Sequence, residues 1–503
     1  MSDMERNTVT PEEEILRQRL DKLGRLREEE GYDPYVHETW DVKQSLNQIR
    51  AEHDDIEVDQ HKKDVPLSVA GRLMTVRKQG KASFANVQDE TGSMQLYFQL
   101  DAMGEEGYRF FKKWIDAGDI VGIEGHPFRT KRGELTIAVT RCVLLCKAIR
   151  PLPEKWHGLT DMEVRYRKRY VDLIANPEVR DVFRQRAKII SSVRKTLEDH
   201  GTLEVDTPIL SYLAGGANAR PFVTHHNALD LDMYLRIATE LHLKRLVVGM
   251  MGRVYEMGKN FRNEGMDAMH NPEFTAMEVY WPYCDYNDMM DLTEEIIRKA
   301  AVDATGSTTV NWQGTELDLA KPFRRISMVD LVKEHCGVDF DAIETDAQAR
   351  SIAEGEGLAV EGNESKFKVL LMMIEEFVEK KLVQPTFVMG HPTEISPLSK
   401  RDPEKPDYTH RFELFVCGSE VANGFSELND PIDQRARFED QARLKAEGDD
   451  ESHPFDEDFI NAIEQGLPPT GGLGIGIDRL IMFLTDSRSI RDVILFPTMK
   501  PKA

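Results

Sequence analysis

Two stretches joined by a short loop decide the fold of this chain: residues 261–265 are FRNEG, and residues 270–280 are HNPEFTAMEVY. They predict a hairpin of two strands, on each of which alternate side chains lie on one face. Arg262 and Glu264 then share a face of the first strand. Phe274, Ala276, Glu278 and Tyr280 share a face of the second.

The predicted face combines a guanidinium, carboxylates, a phenol and an aromatic ring. Such a set is costly to bury unless a ligand or mutual pairing satisfies it. A ring that stacks on a base, beside an arginine that holds a phosphate, indicates a nucleotide site. The alternative is a solvent-exposed charged ribbon, which the length of the pattern disfavours.

A glycine-rich stretch, GGLGIGIDRL at residues 471–480, follows much later in the chain. Its G-x-G-x-G spacing differs from the G-x-G-x-x-G fingerprint of dinucleotide sites, and no βαβ unit surrounds it. We interpret it as a strand on which a nucleotide lies against bare backbone, leading into a helix that presents Arg479.

Around these stretches, strands and helices mix without a βαβ rhythm, which predicts an α+β fold with an antiparallel sheet flanked by helices. A long helix is expected from Asn176-Pro177, and a strand at 203–208 whose proline favours a sheet edge and an interface. Residues 340–382 are expected to form a helical insertion in a catalytic domain spanning 151–503.

Residues 65–150 change to a period of two and predict about five strands, with a helical stretch at 108–115 between the third and fourth. That order is typical of an OB-fold β-barrel, which binds oligonucleotides on one face. Phe84, Tyr97 and Phe98 could stack on bases there, or they could fill the barrel core. Residues 1–64 are expected to be a helical extension and linker.

The charge is unevenly distributed along the 503 residues. The whole chain carries a net charge of −23, yet residues 65–150 hold 13 Lys and Arg against nine Asp and Glu. A local basic face is sufficient to meet phosphates, because the field of a charge acts within about 8 Å at physiological salt. A merely solvated surface is the alternative.

Composition and targeting signals favour a cytoplasmic globular protein. Hydrophobic residues make up 40% of the chain, and no apolar run reaches the ~18 residues of a membrane span. The start, MSDMER, lacks the basic and apolar regions of a secretory signal. The five cysteines are scattered, which favours buried thiols over a metal site, and the pair His225-His226 is expected to be structural.

The hairpin at 261–280 resembles motif 2 of the class II aminoacyl-tRNA synthetases. Residues 203–208 resemble motif 1, and residues 471–480 resemble motif 3. Within that class, the chain resembles the bacterial lysyl-tRNA synthetases from about residue 15 to its end, with matching stretches at 25–35, 80–84, 215–222 and 423–428. Three motifs in this order after an OB barrel are far more specific than any one of them.

The resemblance implies an ATP-dependent enzyme that joins L-lysine to tRNA(Lys) through a lysyl-adenylate. Arg262 and Arg479 are implied to be catalytic. Arg262 would bridge the lysine carboxylate and the α-phosphate, and Arg479 would bind the γ-phosphate end. The residues implied to bind ATP are Arg262, Glu264, His270, Asn271, Phe274, Glu413 and Arg479. Those implied to bind lysine are Gly216, Glu240, Arg262, Glu278, Tyr280, Asn423, Phe425 and Glu427.

Glu413 and Glu420 are expected to hold Mg²⁺, which prefers hard oxygen ligands. Strict alternation along one strand does not put both on one face, so Gly418 is expected to turn the chain between them. In the barrel, Arg77, Phe84, Gln95 and Glu134 match positions that read the anticodon in the family. The class also implies a homodimer formed through motif 1.

Two positions depart from the family pattern. Thr239 stands where the family usually has proline before Glu240, and His242 replaces a common aromatic residue. Because Glu240 itself is unchanged, we expect altered local stiffness and retained activity.

Three rival functions use the same scaffold. A lysine ligase that modifies a translation factor lacks the anticodon barrel predicted here. Aspartyl and asparaginyl relatives share the architecture, but the pair Glu240 and Glu427 favours a basic amino acid. A non-catalytic RNA-binding protein would have lost Arg262, Arg479 or a magnesium carboxylate, and the sequence keeps all of them.

Overall fold

The computed structural model describes residues 10–153, 159–213, 215–446 and 455–501. They form two compact units, divided between Thr160 and Asp161. The expectation about a secretory signal concerns residues 1–6, which lie outside the described residues. No described helix is long and apolar enough to cross a membrane.

The first unit contains a closed five-stranded barrel. Its strands are β1 (Leu67–Lys78), β2 (Ala82–Gln88), β3 (Ser93–Gln99), β4 (Ile120–Arg129) and β5 (Leu135–Cys146), in the order β1-β2-β3-β5-β4. Its helices are α1 (Pro11–Glu30), α2 (Leu46–His53) and α3 (Leu100–Trp114), with a 3₁₀ turn at Pro34–Val36. The strand count and the position of α3 confirm the predicted OB fold.

Two details of the barrel differ from expectation. The helix between β3 and β4 begins at Leu100 and not at Tyr108, and it bends at Gly104, where φ is +74°. Phe98 is fully buried and stacks on Phe111 at 3.9 Å between ring centroids, so it belongs to the barrel core and cannot stack on a base. Phe84 and Tyr97 remain partly exposed.

The second unit is built from many short strands and helices. The strands are β6 (Leu203–Glu204), β7 (Leu210–Ser211), β8 (Val223–His226), β9 (Leu231–Leu235), β10 (Val254–Phe261), β11 (Glu273–Pro282), β12 (Thr309–Trp312), β13 (Thr315–Asp318), β14 (Arg324–Ser327), β15 (Thr386–Met389), β16 (Arg411–Val416), β17 (Ser419–Ser426) and β18 (Thr470–Gly476). The helices are α4 (Met162–Arg167), α5 (Arg169–Ala175), α6 (Pro177–Asp199), α7 (Glu240–Val248), α8 (Tyr286–Thr305), α9 (Met328–Cys336), α10 (Asp346–Gly355), α11 (Lys366–Phe377), α12 (Pro431–Ala446), α13 (Glu457–Glu464), α14 (Ile477–Leu484) and α15 (Ile490–Val493). Three 3₁₀ turns lie at Phe340–Ala342, Glu379–Lys381 and Thr393–Ile395.

One eight-stranded sheet organises this unit, in the order β14-β15-β16-β17-β18-β11-β10-β6. Neighbouring strands pair antiparallel from β15 to β10, and only the two edge pairs, β14–β15 and β6–β10, are parallel. The predicted α+β class with an antiparallel sheet is therefore confirmed. The strand expected at 203–208 is shorter, because only Leu203 and Glu204 pair with β10 at the sheet edge.

Helices cover one face of this sheet. Apolar residues of α6, α8 and α14 pack with β11, β16 and β18 in the main core, including Ile189, Ile297 and Ile481. A separate apolar cluster joins α9 to α10 and α11, and the last two of these helices lie within the predicted insertion at 340–382. The opposite face of the central strands is left to line a cavity.

Candidate active site

A cavity of about 470 Å³ lies over the central strands of the large sheet. The predicted site residues that line it are Gly216, Glu240, Arg262, Glu264, His270, Asn271, Phe274, Glu278, Tyr280, Glu413, Glu420, Asn423, Phe425 and Arg479. Glu427 lies behind this lining, fully buried. The structure therefore brings the predicted ATP, lysine and magnesium residues together at one place.

The hairpin β10–β11 supplies the middle of the cavity. Phe274, Ala276, Glu278 and Tyr280 alternate along β11 and all reach the cavity, as the pattern predicts. Arg262 and Glu264 differ from prediction, because β10 ends at Phe261 and both residues lie in the loop beyond it. The Arg262 guanidinium stands 5.2 Å from the centre of the Phe274 ring.

The glycine strand β18 forms the floor. Glu278 lies opposite Gly474 and Tyr280 opposite Gly472 in the ladder with β11. A Cβ atom at residue 472 would stand 1.9 Å from Oε1 of Glu427 and 2.8 Å from the Tyr280 ring. A side chain at this position would therefore displace two of the predicted lysine ligands, which accounts for the glycine.

One end of the cavity is acidic. Glu240, at the start of α7, lies beside Gly216, where a Cβ would stand 3.3 Å from that of Glu240. Glu278 accepts the backbone N–H of Thr239 at 3.0 Å, and the Tyr280 hydroxyl donates to Glu278 at 3.4 Å. Oε1 of Glu427 is buried without a hydrogen-bond partner among the described residues.

Burial is the main cause of the raised acid pKa values at this end. It raises the pKa of Glu278, and the neighbouring Glu240 raises it further. Burial likewise holds the pKa of Glu427 well above its ordinary value, with Lys244 acting in the opposite direction. The pKa of Tyr280 is also raised well above its ordinary value by burial and by the carboxylates of Glu240 and Glu278. A cation that binds beside Glu278 and Glu427 stabilises their ionised forms relative to their protonated forms.

The other end carries the cations. Arg479, the third residue of α14, donates to the backbone carbonyl of Glu420 at 2.7 Å. Its second amino group lies 2.9 Å from Nε2 of His270. Nε of Arg262 is buried and has no hydrogen-bond partner in the described part of the chain. Two guanidinium groups thus border the space between the aromatic ring and the acidic residues.

Glu413 and Glu420 reach the same cavity through a tight hairpin. Cys417 and Gly418 form the two-residue turn between β16 and β17, both with positive φ, as such turns require. Gly418 therefore turns the chain as predicted. The ladder skips Val421, a bulge that sets Asn423 opposite Glu413 and so adds the amide to the same face.

The two carboxylates differ in their surroundings. Burial acts to raise the pKa of Glu413, but His391 and Arg411, the latter at 2.6 Å, lower it to about 2. Burial and the negative charge of Glu413 raise the pKa of Glu420. Such a pair fits a divalent cation, which relieves the repulsion between two carboxylates. Among the described residues no cluster of three or more His, Cys, Asp or Glu has metal-binding geometry. Magnesium fits a site of two carboxylates, because it is usually held by one or two together with substrate phosphates.

Comparison with known proteins places this architecture in a family. The family described as tRNA synthetases class II (D, K and N) matches residues 161–500, and the OB-fold nucleic acid binding domain matches residues 67–145. A lysine–tRNA ligase of Thermoanaerobacter sp. is 54% identical over 489 residues, covering 97% of this chain and 96% of the relative. That of Moorella thermoacetica is 53% identical, covering 98% and 99%, and that of Clostridium perfringens is 52% identical over the full length of both. The chain belongs to the lysine–tRNA ligase family of class II tRNA synthetases.

In this member of the lysine–tRNA ligase family, three of the four predicted anticodon residues, Arg77, Phe84 and Gln95, lie on adjacent barrel strands, and Glu134 directly precedes β5. Arg77 pairs with Phe84 across β1 and β2, and Gln95 of β3 pairs with Thr136 of β5, two residues after Glu134. Phe84 also pairs with Tyr97, two residues after Gln95. Because paired residues share a face, Arg77, Phe84 and Gln95 lie on one face of the barrel wall, and Glu134 lies next to them at the start of β5.

The barrel face also carries Tyr97, a stacking candidate from the sequence, and two rings that the sequence reasoning did not select, those of Phe128 and His61. Tyr97 lies 4.9 Å from Phe84 and 5.7 Å from Phe128, and His61 stacks on Phe128 at 4.4 Å. His61 comes from the segment expected to be a linker. Only the closure of the barrel brings it there, through a bridge to Phe128.

Sequence reasoning missed Lys244, which lies beside the predicted lysine-binding residues. It is fully buried, and its ammonium contacts Glu240 at 2.5 Å and also Glu427. The available signal was the four-residue spacing from Glu240 on a helix, which places both side chains on one face. By contrast, His225 of the adjacent histidine pair lies on the exposed strand β8 and bonds Asp232 of the neighbouring strand β9.

Proposed function

We propose that this protein activates L-lysine with ATP, forming lysyl-adenylate and pyrophosphate. It then transfers the lysyl group to the 3′-hydroxyl of the terminal adenosine of tRNA(Lys). The relatives at 52–54% identity are named lysine–tRNA ligases. The observation that carries the proposal is the arrangement of one cavity, acidic at one end and lined by two arginines and an aromatic ring at the other.

The acidic end supports recognition of a cationic amino acid. Glu240 and the backbone of Gly216 are proposed to bind the α-ammonium, while Tyr280 and Glu427 bind the ε-ammonium. Asn423 and Arg262 then face the carboxylate, with Glu278 and Phe425 completing the pocket wall. A neutral side chain of the same length would leave buried carboxylates unpaired, which is a strong penalty.

The opposite end supports nucleotide activation. A carboxylate oxygen of lysine attacks the α-phosphorus of ATP, a bond forms to that phosphorus, and the bond to the pyrophosphate oxygen breaks. Arg262 offsets charge at the α-phosphate, and Arg479 holds the γ-phosphate end, so positioning and electrostatics carry the step. Phe274 stacks on adenine, with Glu264, His270 and Asn271 ordering the nucleotide.

Glu413 and Glu420 are proposed to hold Mg²⁺. The ion would neutralise charge on the phosphates, a role that hard oxygen ligands suit. The residues fit because two carboxylates share one face of the β16–β17 hairpin and the negative charge of Glu413 helps to raise the pKa of Glu420.

The barrel is proposed to read the anticodon through Arg77, Phe84, Gln95 and Glu134, with Phe84 stacking on a base. Phe84→Ala is then expected to raise the KM for tRNA about tenfold or more, because one stacked base contributes ~1–3 kcal/mol. Lysine-dependent pyrophosphate exchange, which needs no tRNA, should not change. The matched control is Phe84→Tyr, which keeps the ring. A loss of exchange in Phe84→Ala would contradict this assignment.

We also propose a cytoplasmic homodimer formed through the region of motif 1. Large apolar side chains are exposed around the sheet edge there, including Leu203, Leu210, Tyr212 and Val223. Exposed apolar patches of this kind mark interaction surfaces. Light scattering should give about twice the mass of one chain, and a monomeric mass at micromolar concentration would contradict the proposal.

The deciding experiment is exchange of labelled pyrophosphate into ATP, run with each of the twenty amino acids and no tRNA. Lysine alone is expected to support exchange, and chelation of Mg²⁺ should abolish it. If another amino acid supports it better, the assignment of Glu427 and Tyr280 is wrong. If none does, activation fails and RNA binding by the barrel becomes the main function.

A further inference from the structure

The acidic end of the cavity contains a cation of the protein's own. The Lys244 side chain is fully buried, and its Nζ lies 2.5 Å from Oε1 of Glu240. The same Nζ also pairs with Oε2 of Glu427, another fully buried group. One ammonium therefore bridges the two carboxylates that are proposed to receive the two ammonium groups of the substrate.

Lys244 approaches both carboxylates from behind the cavity. It does not line the cavity, whereas Glu240 does. Oε1 of Glu427 points the other way, towards the position where a Cβ on Gly472 would clash. Lys244 thus contacts Oε1 of Glu240 and Oε2 of Glu427. The other oxygen of Glu427, Oε1, has no hydrogen-bond partner among the described residues.

The charges around Lys244 can be counted. Glu240 lies on the same helix, Glu427 follows β17, and Glu278 and Tyr280 come from β11, with Arg262 beyond Glu278. The rings of Phe425 and Phe459 also lie near the ammonium, with centroids at 5.4 and 5.9 Å. Three ionised carboxylates and one ammonium leave two negative charges, the number that the two ammonium groups of lysine neutralise. Arg262 then matches the lysine carboxylate.

We infer that Lys244 is a specificity-determining positioning residue, which holds Glu240 and Glu427 in place and supplies the one positive charge that fits the pocket to an amino acid with two ammonium groups. The inference rests on the proposed function. Without Lys244, three carboxylates would face two substrate cations, and one of them would hold a proton at neutral pH. A protonated carboxyl group offers a donor where the substrate needs an acceptor.

The two carboxylates also keep Lys244 charged. Burial acts to lower the pKa of Lys244, but Glu240 and Glu427 outweigh burial and raise it. The ammonium therefore persists over the pH range in which the enzyme is assayed. Burial raises the pKa values of Glu278 and Glu427, and the ionised forms of these two residues bind lysine, so kcat/KM for lysine falls as pH decreases through those values.

The test is the pH profile of kcat/KM for lysine in pyrophosphate exchange, for wild type, Lys244→Met and Lys244→Arg. Methionine keeps most of the aliphatic chain and removes the charge that lowers the pKa of Glu427, so that pKa rises further. We expect the acid limb of the profile to move at least about one unit towards higher pH, with a lysine KM raised about tenfold or more at pH 7. The KM for ATP at saturating lysine should not change. Lys244→Arg should keep the wild-type acid limb.

A double variant separates charge from packing and covers the case in which Lys244→Met does not fold. Glu278→Gln removes one negative charge, so Lys244→Met with Glu278→Gln has the wild-type count and should recover lysine binding relative to Lys244→Met. An unshifted acid limb in folded Lys244→Met would overturn the inference, as would a double variant that binds lysine no better than a folded Lys244→Met. If Lys244→Met alone does not fold, the inference is overturned when the double variant Lys244→Met with Glu278→Gln shows no lysine-dependent exchange. Failure of the wild type itself to exchange with lysine would instead refute the proposed function.

Discussion

The two ends of the cavity satisfy their charges in different ways. At the acidic end, Glu427 and Lys244 are fully buried and pair with each other inside the protein. At the opposite end, where the two arginines lie and the phosphates are proposed to bind, Arg479 contacts Glu420 and His270. The side chains of these two residues are about half exposed, at 43% and 53%. The acidic end is thus defined by buried charges that pair with each other. The opposite end uses contacts between proposed ligands, which a nucleotide can replace at little cost.

This difference separates selectivity from activation. A buried end with a fixed charge count discriminates among amino acids, because a wrong substrate leaves a charge unpaired in a medium of low dielectric. An open end that exchanges its internal contacts for phosphates discriminates little but contributes to the rate. Substitutions at the two ends should therefore change different kinetic parameters.

Arg262 should give the largest effect, because it is proposed to contact both lysine and ATP. Arg262→Ala is expected to lower kcat/KM for pyrophosphate exchange about 10²–10³-fold, the range seen when one group that stabilises the transition state is removed. Steady-state exchange with lysine and ATP varied in turn measures it. Arg262→Lys is the matched control and should recover part of kcat. A loss confined to the KM of lysine would show that Arg262 does not act on the phosphate.

Glu427 should affect only the acidic end. Glu427→Gln keeps the shape and removes one charge, and it leaves Lys244 with a single carboxylate partner. We expect a loss of about 1.5–3 kcal/mol of lysine binding, since a hydrogen bond to a charged group is removed. That corresponds to a lysine KM raised roughly 10- to 100-fold. The KM for ATP should stay unchanged, and an equal rise in both KM values would contradict the separation of the two ends.

Thr239 should give the smallest effect. Its N–H donates to Glu278 at 3.0 Å, and proline, the residue expected here from the family pattern, has no N–H to make this bond. Thr239→Pro is therefore expected to weaken lysine binding by about 0.5–1.5 kcal/mol. Thr239→Ala keeps the N–H and should match the wild type. A lysine KM that is the same in all three proteins would show that the hydrogen bond does not order Glu278.

The face of each strand could be predicted from sequence because alternation is a local property. Phe274, Ala276, Glu278 and Tyr280 all reach the cavity, as the period-two pattern requires. The faces of Glu413 and Glu420 also followed once a turn was placed at Gly418. The predictions for the roles of these residues stay predictions until they are measured.

What could not be predicted depends on contacts between distant segments. The bulge that skips Val421 is set by the pairing of two strands and leaves no mark in the sequence. Phe98 and Phe84 are both phenylalanines on barrel strands, but Phe98 lies in the core and Phe84 is partly exposed. Only the closure of the barrel determines this difference. Lys244 was missed because a buried lysine is rare unless carboxylates from other segments pair with it.

The glycine strand β18 restricts how this cavity can vary between related proteins. Every other amino acid adds atoms at Gly472 or Gly474, so mutation can only reduce the space on the floor and never enlarge it. At Gly472 the first added carbon already meets Glu427, whereas at Gly474 the nearest atom is 3.8 Å away. Substitutions that enlarge the pocket must therefore occur on the flanking strands β11 and β17. A larger amino acid substrate would have to be accommodated there.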